Sequence, residues 1–125
     1  MRVLFTGGGT GGHIYPALTL AAFLEKADNP SILFVGTAKG MEQELVPRAG
    51  YILKTITVSG LQRQLSWRTI LTFARLSKGL WQAYGIIRDF RPDVVIGTGG
   101  YVSLPVVFIA SLLKLPTLIH EQNVL

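Results

Sequence analysis

Hydrophobic positions along the 125-residue chain follow two alternating patterns. Short continuous apolar runs rich in Val, Ile and Leu are typical of strands buried on both faces, and longer stretches of helical period separate them. The predicted strands are residues 2–6, 32–36, 52–58, 94–97 and 117–120, and the predicted helices are residues 16–26, 40–49, 66–90 and 103–114. This alternation predicts an α/β fold, a parallel sheet with helices on both faces and right-handed crossovers.

Glycine-rich and polar segments follow three of the predicted strands, at residues 7–13, 97–103 and 120–123. Ligands of open α/β sheets bind beyond the carboxyl ends of the strands, and glycine lets the backbone approach a ligand closely. The amides of helix N-termini at this position favour an anion. The three segments therefore predict a binding site, and the alternative is a set of tight turns that need positive φ.

The first segment departs from two common nucleotide-binding motifs. Gly7, Gly9 and Gly12 match G-x-G-x-x-G, but no carboxylate ends the second predicted strand, where a dinucleotide site needs one. The lysine of a P-loop is also missing after Gly12. His13 closes the segment and has two interpretations, a general base or a capping and packing histidine.

The long predicted helix at residues 66–90 carries two apolar faces. One face, expected to pack against the sheet, consists of Phe73, Leu76, Leu80, Tyr84, Ile87 and Phe90. The other consists of Trp67, Ile70, Leu71 and Trp81, with Arg68, Arg75, Lys78 and Arg88 among or beside them. Core packing against a neighbouring element and docking on an anionic membrane both fit this second face. Nucleic acid is less favoured, because the positive charge surrounds an apolar patch instead of following a groove.

Composition narrows the setting of the protein. The chain has no cysteine, no leader-like N-terminus and no apolar run of the roughly 18 to 20 residues that span a bilayer, which predicts a cytoplasmic protein. The formal net charge is +5, and between Arg48 and Arg91 eight basic residues accompany Asp89 alone. This excess favours an anionic partner. His120 and Glu121 are only an adjacent pair, so no metal site and no Ser/His/Asp triad is predicted.

Six motifs carry a family resemblance. In chain order they are Gly8-Gly9-Thr10-Gly11-Gly12-His13; the block Gly36-Thr37, Met41-Glu42, Leu45-Val46-Pro47 and Gly50; Ser59-Gly60-Leu61; Arg91-Pro92-Asp93-Val94-Val95; Gly99-Gly100-Tyr101-Val102-Ser103; and His120-Glu121-Gln122-Asn123. Together they resemble the N-terminal half of the MurG family of bacterial glycosyltransferases. The resemblance implies a Rossmann-like domain, residues 1–125, that forms the acceptor-binding and membrane-associating half of a GT-B enzyme. The donor-nucleotide domain of that family lies outside this chain.

The resemblance also implies an activity. The family transfers N-acetylglucosamine from UDP-N-acetylglucosamine to the 4-hydroxyl of the muramoyl sugar of lipid I. The product is lipid II, formed with inversion and without a metal or other cofactor. The enzyme would be peripheral, at the cytoplasmic face of the bacterial plasma membrane, with an anionic membrane surface and no nucleic acid as partner. The chain alone is expected to be inactive.

Residue roles follow from the motifs that match. His13 is implied as the general base, with Glu121 as a second catalytic candidate. The donor-binding residues are Thr10, Gly11, Gly12 and Asn123, and the acceptor pyrophosphate-binding residues are Gly9, Gly99, Gly100, Tyr101 and Ser103. The membrane-association residues are Trp67, Ile70, Leu71, Trp81, Arg68, Arg75 and Lys78. Two alternatives stay open: a membrane-docking subunit that needs a separate catalytic chain, and a Rossmann-type nucleotide-binding enzyme.

Overall fold

The computed structural model describes residues 1–9, 11–58, 68–100 and 102–120, and over residues 68–76 it describes the backbone alone. Strands and helices alternate along the chain. Their bounds are β1 (Arg2–Gly7), α1 (Gly11–Asp28), β2 (Ser31–Gly36), α2 (Glu42–Arg48), β3 (Ile52–Thr55), α3 (Arg68–Phe90), β4 (Val94–Gly99), α4 (Ser103–Leu112) and β5 (Thr117–Ile119). Every predicted strand and helix is therefore present.

The strands form a parallel sheet in the order β3-β2-β1-β4-β5. From β1 the chain builds outward through β2 to β3, and it then returns to the other side of β1 to add β4 and β5. Such a reversal leaves a crevice beyond the carboxyl ends of the two central strands, which is where open α/β sheets bind ligands. Here the crevice lies between β1 and β4.

Helices cover both faces of the sheet, as the sequence predicts. Alternate residues of β1 point to opposite faces, because side chains in a strand have a period of two. Leu4 packs with residues of α3 and α4, including Ala83 and Val106. Val3 and Phe5 pack on the other face, against α1 and α2. Two separate apolar cores thus hold β1 at the centre of the fold.

Aromatic rings cross the first two strands within the second of these cores. The rings of Phe5 and Phe34 stack with centroids 5.1 Å apart, and Tyr51 lies against Phe34 at 5.2 Å. Burial, together with the Glu25 carboxylate that accepts its hydrogen bond, raises the pKa of Tyr51 above its usual value. The tyrosine is therefore a neutral packing group with a polar end.

Several element bounds differ from the sequence-based prediction: β3, for example, ends at Thr55 instead of residue 58, and two of the differences fall at glycines. Helix α1 begins at Gly11 instead of residue 16, and β4 continues through Gly99 instead of ending at residue 97. Glycine has a low intrinsic preference for helices and for strands, so the sequence pattern does not indicate the start of α1 or the end of β4. Strand pairing overrides that preference in β4, where Gly97 pairs with Thr6 and Gly99 pairs with Gly7 of β1.

Helix α3 also divides its side chains differently from the prediction. Ala83 and Ile87 enter the core, and Phe90 packs partly against it. Tyr84, predicted on the sheet side, instead meets Trp81 edge to face at a centroid distance of 6.2 Å. In the described part of the chain, no helix combines the length and the apolar character needed to cross a membrane.

We expect Phe5→Ala to lower the free energy of unfolding by about 3–5 kcal/mol, because it empties a fully buried ring site. The matched control is Phe23→Ala on α1, since that ring is 67% exposed and its loss should cost no more than about 0.5 kcal/mol. Urea unfolding of the two variants measures the difference. Equal losses would contradict the assignment of Phe5 to the core.

Candidate functional site

Two glycine loops meet beyond the carboxyl ends of β1 and β4. The first loop is the glycine-rich segment at residues 7–13, and the second is the segment at residues 97–103. The Gly8 amide donates to the Gly99 carbonyl at 3.3 Å. Gly100 has φ of +89°, and a Cβ at that position would lie 2.5 Å from the Gly8 carbonyl oxygen. A side chain at residue 100 would therefore force the loops apart. The structure brings together the first two glycine-rich segments that the sequence predicts at one edge.

Side-chain hydroxyls tie these loops to the sheet and to α1. Thr98 Oγ1 donates to the His13 carbonyl oxygen at 2.6 Å. Ser103 Oγ lies 3.0 Å from the Thr6 carbonyl oxygen and 2.9 Å from the Gly99 carbonyl oxygen, so its hydroxyl is satisfied by backbone acceptors. Ser103, proposed from the resemblance as a pyrophosphate ligand, holds the second loop onto β1 in this structure.

His13 is the third residue of α1, and its side chain is half-buried beside the first loop. The first turn of a helix has N–H groups without acceptors inside the helix, and its dipole favours negative charge. Gly11 and Gly12 occupy this turn, and Gly12 is exposed. His13 thus belongs to the first turn of α1, and its role as a base and the role of this turn in binding phosphate stay predictions.

The backbone of Gly9 is engaged within the protein. Its φ is +90°, and its amide donates to Glu42 Oε1 at 3.1 Å. Glu42 is 1% exposed and also accepts from the amide and hydroxyl of Thr37. Sequence reasoning gave Glu42 no role, because it lies 33 residues from Gly9 along the chain. Two glycines shortly before it in the sequence, Gly36 and Gly40, were the available signal.

An open groove of about 840 Å³ runs from the first loop along α1. It is lined by Gly11, Gly12, Tyr15, Pro16, Thr19, Leu20 and Phe23. Tyr15 and Phe23 are exposed. The groove shares Gly11 and Gly12 with the N-terminal turn of α1, so it begins at that turn.

Several predicted site residues lie outside the described structure. They are Thr10, Trp67, Tyr101, Glu121 and Asn123. Four others, Arg68, Ile70, Leu71 and Arg75, lie where α3 is described by its backbone. Among the described residues, no group of three or more His, Asp or Glu side chains is placed to hold a metal ion.

The described part of the second face of α3 is aromatic and basic. Trp81 is 74% exposed, and Lys78 is exposed one turn before it. The Arg88 guanidinium lies 5.6 Å from the centre of the Tyr84 ring and donates to its hydroxyl at 2.9 Å. Trp81 therefore projects from the surface with basic groups on both sides of it along the helix.

Comparison with known proteins matches this chain to enzymes over nearly its whole length. The glycosyltransferase family 28 N-terminal domain matches residues 3–125. A curated relative from Thermoanaerobacter sp. (strain X514) is 58% identical over 124 residues, and one from Lactococcus lactis subsp. cremoris (strain MG1363) is 52% identical over 124 residues. Both are named UDP-N-acetylglucosamine--N-acetylmuramyl-(pentapeptide) pyrophosphoryl-undecaprenol N-acetylglucosamine transferase. The alignments take in 98% of this chain but only 34% and 35% of those relatives, so the chain spans about a third of their length.

Solved structures agree with the fold described above. The crystal structure of Acinetobacter baumannii MurG has a TM-score of 0.82 at 31% identity, over 98% of this chain and 35% of that one. Spinosyn rhamnosyltransferase SpnG has a TM-score of 0.71 at 20% identity, over 97% of this chain and 35% of its own. At that identity the second match shows the fold alone. The predicted architecture, the N-terminal half of a GT-B glycosyltransferase, is confirmed.

We expect Gly100→Ala to destabilise the chain more than Gly50→Ala. Both glycines have positive φ, +89° and +93°, which disfavours alanine by about 1–2 kcal/mol. A Cβ at Gly50 would meet nothing within 4 Å, whereas one at Gly100 would meet the Gly8 carbonyl. Such overpacking adds about 1–3 kcal/mol. Denaturant unfolding measures both losses, and equal values would show that the loops are not in close contact.

Proposed function

The chain belongs to glycosyltransferase family 28 and matches its N-terminal domain, and on that basis we propose that it is the acceptor-binding part of an enzyme that makes lipid II. The full-length protein transfers N-acetylglucosamine from UDP-N-acetylglucosamine to the 4-hydroxyl of the muramoyl sugar of lipid I. The names of its curated relatives support this substrate pair. The observation that carries the proposal is the meeting of two glycine loops beside His13.

The proposed reaction is a single inverting displacement. The 4-hydroxyl oxygen of the acceptor bonds to the anomeric carbon of N-acetylglucosamine, while the bond from that carbon to the β-phosphate oxygen breaks. UDP leaves with the bonding electron pair, and the hydroxyl proton passes to a base. His13 is the proposed base, because imidazole accepts a proton near neutral pH and His13 lies in the first turn of α1, at the end of the first glycine loop. Glu121 is the second candidate.

The two loops divide the phosphates of the two substrates between them. We assign the acceptor pyrophosphate to the second loop, at Gly99, Gly100 and Tyr101, with Ser103 holding this loop and Gly9 adjoining it. The donor sugar and diphosphate contact Thr10, Gly11 and Gly12 at the N-terminus of α1, and Asn123 after β5. The first turn of α1, in which Gly12 is exposed, supports the donor assignment, because helix N-termini favour phosphate.

The remainder of the donor site belongs to the part of the protein beyond this chain. Curated relatives are about three times as long as the aligned region, and GT-B enzymes close an active site between two domains. We therefore propose a separate C-terminal donor-nucleotide domain. The isolated chain has one wall of the cleft and no transferase activity.

We also propose that the protein is peripheral, on the cytoplasmic face of the bacterial plasma membrane. Exposed Trp81, with Lys78 and Arg88 near it, has the combination of indole and positive charge that anionic interfaces attract. Helix α4, which packs beside α3, adds an exposed apolar stripe. The stripe consists of Leu104, Phe108 and Leu112. Apolar side chains at four-residue spacing favour a lipid surface over nucleic acid as the partner.

In the full-length transferase, we expect His13→Ala to lower turnover by roughly 10²-fold or more, the usual range for loss of a general base. Assays with labelled UDP-N-acetylglucosamine and a lipid I analogue measure turnover, and a thermal melt checks that the variant folds. Lys114→Ala, two residues beyond the end of α4, is the control. Near-normal turnover of a folded His13 variant would overturn the assignment.

We expect Trp81→Ser, alone and with Trp67→Ser, to weaken binding to vesicles that contain phosphatidylglycerol. The control is Phe23→Ser, which removes another exposed aromatic ring on the opposite face of the sheet. High salt should weaken binding of the parent chain, because screening reduces the attraction of the basic groups. Sedimentation with vesicles measures bound fractions, and unchanged binding of the tryptophan variants would contradict membrane docking through α3.

A further inference from the structure

We propose that Glu42 is a positioning residue of the transferase: its buried carboxylate fixes the first glycine loop, residues 7–13, and through it the place of His13. The inference rests on the proposed function for its catalytic consequence. Its structural part, that Glu42 orders the loop, stands on the described contacts alone.

Glu42 begins α2 and is 1% exposed. A buried carboxylate is costly unless hydrogen bonds replace its hydration. Glu42 Oε1 accepts from the Gly9 amide at 3.1 Å, and Oε2 accepts from the Thr37 amide at 2.8 Å and from Thr37 Oγ1 at 3.1 Å. The carboxylate thus joins the end of β1 to the end of β2 through directed bonds.

The space around this carboxylate is made by glycines. A Cβ at Gly8, Gly36 or Gly40 would collide with the Glu42 side chain. These glycines come from the first loop, from the end of β2 and from the turn before α2. Moving the carboxylate aside would break its three hydrogen bonds. These three glycines therefore provide the space that the Glu42 side chain occupies.

Glu42 and the second glycine loop hold consecutive residues of the first loop from different sides. The Gly8 amide donates to Gly99, and the next amide, that of Gly9, donates to Glu42. At the other end of the loop, Thr98 holds the His13 carbonyl. A loop of glycines has little side-chain restraint, so these bonds limit its conformations. Without Glu42, the Gly9 amide loses its acceptor, and the first loop loses the restraint at that residue.

The catalytic consequence follows from the sensitivity of transfer reactions to geometry. A displacement of about 1 Å in a positioned group can lower the rate by roughly 10²-fold. Glu42 is buried beneath the loop and acts on the reaction through the Gly9 amide, whereas the donor and acceptor contact the exposed side. Its loss should therefore lower kcat by a larger factor than it raises the KM for UDP-N-acetylglucosamine, because the loop supplies only part of the proposed donor site and the other domain supplies the rest.

Glu42→Gln tests the proposal with nearly constant volume. Among the described residues, three N–H or O–H donors converge on the carboxylate, and a glutamine amide would turn its own NH₂ donor toward at least one of them. We expect kcat of the full-length transferase to fall between about 10-fold and 10²-fold. The control is Glu44→Gln on the same helix, since the Glu44 side chain is 70% exposed and pairs with Arg48 on the surface.

Thr37 supplies a graded second test. Thr37→Ser keeps the hydroxyl that donates to Glu42 and should retain activity. Thr37→Val removes that donor and the acceptor of the Gly40 amide, and it should lower kcat in the same direction as Glu42→Gln. Equal activity of the serine and valine variants would contradict a role for this hydrogen bond.

Amide hydrogen exchange separates positioning from general destabilisation. On this chain, Glu42→Gln should raise exchange in the peptide containing residues 7–13 at least 10-fold, and β1, β4 and β5 should keep their protection. Increased exchange throughout the sheet would assign Glu42 to global stability and overturn the proposal. So would unchanged exchange in the loop, or kcat equal to that of Glu44→Gln in an active enzyme.

Failure of the proposed function gives a different result. If the unmodified full-length protein transfers no N-acetylglucosamine, the assigned reaction is wrong, and with it the catalytic consequence of Glu42. The ordering of the loop by Glu42 is then decided by hydrogen exchange alone.

Discussion

The close backbone contact between the two glycine loops is the constraint on which the candidate site depends. The Gly8 amide reaches the Gly99 carbonyl, and Gly100 leaves no room for a side chain against Gly8. The contact follows from the pairing of β1 with β4, whose register shifts after Thr6 so that Gly7 pairs with Gly99. Strand pairing therefore sets where the loops meet, and the loop after β1 sets where α1 begins.

Glycine has three separate uses within this small region. At Gly9, Gly99 and Gly100 it supplies positive φ. At Gly8, Gly36 and Gly40 it leaves space for the Glu42 side chain. Gly11 and Gly12 instead form the first turn of α1, where Gly12 is exposed. A segment that in sequence has the appearance of one phosphate-binding loop thus combines a turn, a packing site and a helix start.

The fold was largely predictable, because its signals are local. Continuous apolar runs such as Val3-Leu4-Phe5 indicate strands buried on both faces, and their alternation with helices indicates a parallel sheet. The carboxyl-end position of the glycine segments follows from that architecture. The pairing of β1 with β4 and the contact of Gly9 with Glu42 join residues far apart in the chain. No pattern within a short window contains such contacts, so the role of Glu42 becomes visible only in three dimensions.

Hydrogen-bond donors that already have acceptors within the protein limit how the site can bind phosphates. The amides of Gly8 and Gly9 and the hydroxyl of Ser103 already have partners in the protein. These three donors are therefore not available to a phosphate, which leaves the proposed phosphate contacts to the first turn of α1 and to the second loop at Gly99 and Gly100. Backbone dipoles that the fold already holds in place need no reorganisation when charge develops on a bound substrate. This preorganisation is the condition for electrostatic stabilisation of a transition state.

The same geometry relates the proposed acceptor loop to the proposed membrane face. The second loop leads directly into α4, and α4 packs with α3 on one face of the sheet. The first loop leads into α1 on the opposite face. An acceptor whose pyrophosphate lies at Gly99 and Gly100 can therefore extend its lipid along the face that carries Trp81 and Phe108, both exposed. The proposed donor-binding turn of α1 then begins the helix on the opposite face of the sheet from that lipid.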